Sequence, residues 1–400
     1  MAAAWFAVMF LTPPARIAAS TTASIEVLVV SNNWGGTADI VDLRTLRKIK
    51  RVNVIPDKAQ RIAAIVSNPT RKFYFDSVRK LIGEGHNQYV DDGFPSSDGR
   101  LIYFSRPSFA DVVAINVHSG RIVWRVPVDG YRSDHMALSP DGKRLLVSAS
   151  TARTVDVIDT TRGRIVTRIP SGDSPHEINF SPDGRLIYHA SIGAVYTNLD
   201  APSQDSTKGE RVFEIIDAHT YKVIKRVDMG RKLAAAGLGA SAAVRPMAIA
   251  PDGRYIYFEL SFLHGFVEYD LRAARVTRIA LLPIAPAVRK LPRQAYLLDS
   301  AIHGLALNPA GTRFCVAATM SGYAAIVSRS TLLPIRIIPV GHVPYWSTSE
   351  PSGRYCFVSV ARDNRVAVID YARARLVRFI EVGFHPQRMR TGRLLASTLR

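Results

Sequence analysis

The chain has 400 residues, 47% hydrophobic and 21% charged, a composition that excludes a disordered protein. It carries 52 Lys and Arg against 33 Asp and Glu, a formal charge of +19, and such a field favours anionic partners. The positives fall singly after turns (Lys143, Arg185, Arg254, Arg313, Arg354), with no basic block or basic helix, which argues against nucleic-acid recognition.

Met1 to Leu11 is apolar, and Pro13-Pro14 and the small residues Ala18-Ala19-Ser20 follow. This is the pattern of a secretory signal, so residues 1–24 are expected to be a signal peptide or disordered lead and the protein secreted or cell-surface associated. No Lys or Arg precedes Arg16, which keeps a cytoplasmic location as the alternative. The stretch is too short to span a bilayer, and no later one reaches about 18 uninterrupted apolar residues.

From Ile25 onward the chain is periodic. Ser139-Pro140-Asp141-Gly142 recurs as Ser181-Pro182-Asp183-Gly184 and Ala250-Pro251-Asp252-Gly253. Looser copies end at Gly99, Gly311 and Gly353, and Arg390-Thr391-Gly392 reads as a seventh. Proline presets φ, aspartate bonds its own backbone and glycine accepts positive φ, so each copy reads as a tight hairpin turn. The glycines are 43, 42, 69, 58, 42 and 39 residues apart, and a period near 42 is one four-stranded blade. An alternating run such as Arg144–Ser150 follows each turn, then a second hairpin such as Thr154–Ile169. Seven of those hairpins are present. Both counts give an all-β, seven-bladed β-propeller over residues 25–392, with 393–400 a C-terminal tail. Ile25–Val30 reads as the second strand of a blade that lacks its first. Pro386–Arg390 is expected to supply it and close the ring, leaving no open sheet edge.

Several segments break the period. Residues 57–90 read as a helical insertion, Ala59–Ser67 and Arg71–Ile82, split at Asn68-Pro69. Residues 192–210 form a polar loop, and 229–244 and 281–302 lengthen connections between blades. By propeller topology all of them crowd one rim, the expected working face. Cys315 and Cys356 hold matching places in successive repeats. Such positions are expected to lie a blade apart, beyond the roughly 6 Å Cα separation of a disulfide, so two buried thiols are expected.

Val155-Asp156-Val157-Ile158-Asp159-Thr160 followed by Gly163-Arg164-Ile165-Val166, together with the Ser-Pro-Asp-Gly turns, resembles the YVTN-repeat propellers, including the YncE-like group. Lactonase-type propellers and the propeller subunit of quinoprotein amine dehydrogenases are more distant relatives. The resemblance implies the fold over residues 25–392. It implies no single activity, because that superfamily holds both binders and enzymes. No Cys-x-x-Cys-His for haem attachment is present.

Aligning the inner strands backward from their turns gives one leading residue per blade: Asp91, Asp134, His176, Arg245, His303, Tyr345 and Gln387. The following position holds Asp92, His135, Glu177, Pro246, Gly304, Trp346 and Arg388. Inner strands line the central channel, so these residues are expected to converge at its mouth. Asp91, Asp134, His135, His176, Glu177, Arg245, His303 and Tyr345 are the candidate ligand site. The plainer alternative is a solvated lining, since channel mouths are wet. Arg245 suits a carboxylate or phosphate. The ligand types also suit a divalent cation on His176, His303 and an Asp, although spacing alone assigns no metal ligand and identifies no cofactor. His86 is placed as a lid residue over the mouth, and His118, His189 and His219 as structural.

The expected function is that of a monomeric, exported binder of a small or polymeric, anionic ligand. The alternative is a lactonase-like hydrolase, metal-dependent or not, working through the same Asp and His residues. The non-catalytic reading is favoured. No Gly-x-Ser-x-Gly elbow occurs, Ser77-x-x-Lys80 lies in the inserted helix, and no nucleophile–base pair can be named.

Overall fold

The computed structural model describes residues 23–196 and 199–400; the apolar leader lies outside the described residues. Seven four-stranded antiparallel sheets form a closed propeller, and in blades 2 to 7 each blade takes four consecutive strands. Blade 1 instead begins with the C-terminal strand Pro386–Leu395, laid against Ser24–Asn32.

The repeated turn forms because its side chains replace backbone partners. In blade 3 Asp141 Oδ1 accepts from Ser139 Oγ at 2.6 Å and from Lys143 N–H at 3.0 Å, while Ser139 Oγ accepts Arg144 N–H at 2.9 Å. Gly142 sits at φ 71°, and a side chain there would be strained. Each such turn joins an inner strand to its second strand at the rim away from the insertions.

The closing strand pairs from Ser24↔Leu395 to Asn32↔Pro386. Arg390-Thr391-Gly392, expected as a seventh turn, is strand, with Gly392 opposite Val27. No reversal is needed there, because the partner strand comes from the other end of the chain. The closure is also held by charge: Arg390 grips Asp92 of blade 2 through two bonds of 2.9 and 2.6 Å, and Arg388 pairs with Asp91. Beyond Leu395 the backbone makes a 3-10 turn, Ala396–Leu399.

Cys315 and Cys356 form a disulfide, which corrects the expectation of two separate thiols; their Cα atoms are 6.4 Å apart. They occupy the second strands of blades 6 and 7 (Arg313–Ala318 and Tyr355–Val360), near the axis where blades wedge together. Ala317, Ala324 and Ala367 surround them, and those small side chains let the two sheets approach. Spacing a disulfide by the mean blade separation overlooked this narrowing.

The insertion holds two helices, α1 (Lys58–Val66) and α2 (Pro69–Ser77), and α2 passes into a π-helical turn, Val78–Ile82. Asn68 caps α2 by accepting Arg71 N–H at 3.0 Å, and Pro69 occupies the first turn. Fully buried Arg106 bonds Asp111 of its own blade at 2.7 Å and Asp57 of the insertion at 2.6 Å, which fixes the helices to blade 2. The loops 192–210 and 281–302 are cross-linked by Lys208–Asp299 at 3.0 Å and Arg293–Asp205 at 2.7 Å. Among the described residues no helix is long and apolar enough to cross a membrane.

Candidate functional site

Five of the seven inner strands carry an extra residue where the chain enters the channel. In blade 3 the register runs Ser133↔Ala149 to Met136↔Val147, so Asp134 and His135 oppose Ser148 alone. In blade 5 Arg245 and Pro246 oppose Glu259, and in blade 1 Gln387 and Arg388 oppose Ser31. His176 and Tyr345 are the unpaired residues of blades 4 and 7. Such a bulge bends the strand and re-aims its side chains. Repetition of the bulge brings polar side chains from separate blades to one point on the axis.

All seven leading residues line one axial cavity of about 230 Å³. The inserted helical segment supplies Tyr74, Val78 and Ile82 to its wall, and the rim loops supply Ile192, Val195 and Leu298. The cavity therefore has an apolar roof and a charged floor. Asp91, Asp134, His176, Arg245, His303 and Tyr345 face it. Glu177 does not: it lines a cavity of about 220 Å³ together with Trp346 and Arg390. His135 lines neither and stands among His176, His303 and Trp346, at ring-centroid distances of 3.9, 6.3 and 5.7 Å.

The floor groups are partly paired with one another. Asp134 accepts from Arg132 at 2.5 Å and from Ser150 Oγ at 3.0 Å. Asp91 Oδ1 pairs with Arg388, while Asp91 Oδ2 has no partner. Burial pushes the Asp91 carboxyl up to about 7; Arg388 opposes the shift and Asp134 adds to it. Burial likewise raises Glu177 to about 7 and Tyr345 to about 12. It holds His135, His176 and His303 well below the usual histidine range, so they are neutral at pH 7.

Arg245 is 1% exposed, its Nε donates to Ser261 Oγ at 2.8 Å, and its Nη2 is buried without a partner. Glu259, on the strand beside it, accepts Gly304 N–H at 3.0 Å, and burial raises its carboxyl well above the usual range. Gly304 is required there, because a Cβ would fall 2.6 Å from the Ser347 nitrogen.

Arg132, Gln88, Ser150 and Glu259 were not anticipated from the sequence. Arg132 precedes the aligned position by two residues, and Glu259 lies on a second strand, so the repeat alignment carries no signal for either. His86, placed as a lid, is not among the cavity-lining residues and stacks on Trp34 at 4.0 Å, with His385 on that same ring at 3.4 Å. His189 is buried between Ser171 Oγ at 2.7 Å and the Glu177 carbonyl at 2.9 Å, a packing role.

The structure is that of a seven-bladed β-propeller with a polar axial cavity beneath a helical insertion. No protein-family model matches the chain, and no curated protein does. Among solved structures it is similar to the hydrazine synthase of Kuenenia stuttgartiensis, at 17% identity and TM-score 0.56, over 74% of this chain and 88% of that one. It is also similar to the dihydro-heme d1 dehydrogenase NirN in complex with DHE, at 13% identity and TM-score 0.54, over 93% of this chain and 66% of that one. At these identities the likeness is one of fold. Matches extend to 1693 solved chains, a breadth that goes with architecture rather than with one activity.

Proposed function

We propose that this protein is an exported, YVTN-type propeller that binds a small anionic molecule with an apolar portion in its axial cavity. The observation that carries the reading is Arg245: a fully buried guanidinium on the cavity wall with an unpartnered Nη2. A buried donor left unpaired costs about 1–3 kcal/mol, and an anion in the cavity removes that cost. Asp91, Asp134, His176, His303 and Tyr345 complete the lining, while His135 and Glu177 support the floor from behind. The apolar roof and a volume of about 230 Å³ favour a small molecule over a polymer. The Cys315–Cys356 disulfide supports an oxidising compartment and hence export.

The test is a thermal-shift panel of aryl carboxylates, aryl phosphates and inorganic phosphate on wild type and Arg245→Gln. At least one anion is expected to raise the wild-type melting temperature and to leave the variant unmoved. If no anion acts, or if both proteins respond equally, the reading falls. A second reading, a lactonase-like hydrolase, is favoured by the neutral imidazoles and the protonatable Asp91 around one cavity, which could share protons in a ring-opening step.

A further inference from the structure

We propose that His135, His176 and His303 form a three-histidine site for Zn2+ at the floor of the axial cavity. The rings come from blades 3, 4 and 6. Each offers one nitrogen, and those atoms lie within 4.8 Å of one another. All three side chains are buried, at 1%, 6% and 1% exposure. A second observation is independent of that spacing. His135 Nε2, His176 Nδ1 and His303 Nδ1 are each buried without a hydrogen-bond partner. Buried imidazoles ordinarily satisfy such atoms, because leaving one unpaired costs about 1–3 kcal/mol. One orphaned nitrogen on each ring of the cluster has a common explanation in a shared electron-pair acceptor.

The support behind the cluster fits that assignment. Glu177 Oε2 lies 2.6 Å from His135 Nδ1, the carboxylate–imidazole arrangement that orients a ligating histidine. A set of imidazoles without thiolate suits Zn2+ and its first-row neighbours rather than Ca2+ or Mg2+. Three protein ligands leave a coordination position free, and His176 and His303 face the cavity, so that position opens toward the bound molecule. Asp91, Asp134 and His135 form an overlapping trio. One oxygen of each carboxylate is already engaged, Asp91 Oδ1 by Arg388 and Asp134 Oδ2 by Arg132 and Ser150, while Asp91 Oδ2 is unpartnered. His135 therefore takes the place that the sequence reading gave to an Asp. Arg388 and Arg132 are paired with these same carboxylates, while Arg245 adds positive charge beside His176 and His303.

The site is independent of the anion reading, because the metal is titrated alone. Full-length protein freed of metal with a chelator is titrated with Co2+, followed by visible d–d absorption, and then competed with Zn2+. One equivalent is expected, with the intense band of four- or five-coordinate Co2+, displaced by Zn2+. His176→Ala and His303→Gln are each expected to weaken binding at least ~100-fold, on the order of the effect of losing a ligand or its support. Asp134→Asn is expected to stay within a few-fold of wild type. Melting curves of each variant show whether it is folded, and His303→Gln keeps a polar side chain should His176→Ala fail to fold. Absence of saturable binding at one equivalent overturns the site. So does unchanged affinity in folded His303→Gln, or a loss confined to Asp134→Asn, which would move the metal to the carboxylate trio.

Discussion

Glu177 Oε2 stands 2.6 Å from His135 Nδ1 across the junction of blades 3 and 4, and both groups are buried. With the carboxylate ionised, Nδ1–H donates to it and Nε2 keeps its lone pair toward the axis. Removing the carboxylate frees the ring to turn. Glu177→Ala should therefore weaken Co2+ binding by about 10–100-fold while one equivalent still binds. Equal affinity in the two proteins would show that the pair does not orient His135.

The ring is closed by strand pairing and by two ion pairs between the C-terminal strand and blade 2. Met389 and Leu394 are fully buried, and Arg388 and Arg390 hold Asp91 and Asp92. Deleting residues 384–400 exposes the sheet edge of Ser24–Asn32 and strands both carboxylates. The truncated protein should aggregate or lose its cooperative melting transition. A monomeric truncation that melts like the full chain would contradict the closure.

The disulfide joins second strands 41 residues apart in sequence. Loop entropy for a cross-link of that span is about 4 kcal/mol, and measured losses for native disulfides run about 2–5 kcal/mol. Cys315→Ala with Cys356→Ala should lower the melting temperature by several degrees, and a reductant should lower the wild type to match. A double variant that melts with the wild type, in oxidising and reducing buffer alike, would show that the bond contributes nothing.

Asp156 is fully buried, and burial pushes its carboxyl up to about 6 despite the Asp129 N–H it accepts at 2.7 Å and the nearby Arg168. The unfolded chain releases this proton near pH 4, so between about pH 4 and 6 the native state binds more protons than the unfolded state. Stability should fall as pH rises through that window, by on the order of 2 kcal/mol from this group. Asp156→Asn keeps an oxygen for Asp129 N–H and removes the titration. Its melting temperature should exceed that of wild type above pH 6 and converge with it near pH 4. The reverse order would refute the assignment.

Blade number, ring closure and the seven axial residues were legible because each rests on a local, repeated signal. Asp141 and Gly142 mark a turn whatever the rest of the chain does, and counting back from the turn finds the channel. What lay outside that signal depended on three-dimensional convergence. The Cys315–Cys356 bond follows from the taper of neighbouring blades and the alanines between them, which no period encodes. The split between His176, on the cavity, and Glu177, behind it, comes from a bulge at one register position. Arg390-Thr391-Gly392 resembles a turn in composition, yet its partner strand lies at the other end of the chain. His135 was expected to line the cavity mouth and stands behind it instead, and its part in a histidine cluster appears only when blades 3, 4 and 6 are brought together.

An anion held against Arg245 in the axial cavity is open to direct observation. Crystals grown with sodium bromide and measured at the bromine absorption edge test it most directly. An anomalous peak is expected inside the cavity within about 3.5 Å of Arg245 Nη2, absent from Arg245→Gln crystals. Bromide peaks confined to arginines on the outer surface, with none on the axis, would contradict it.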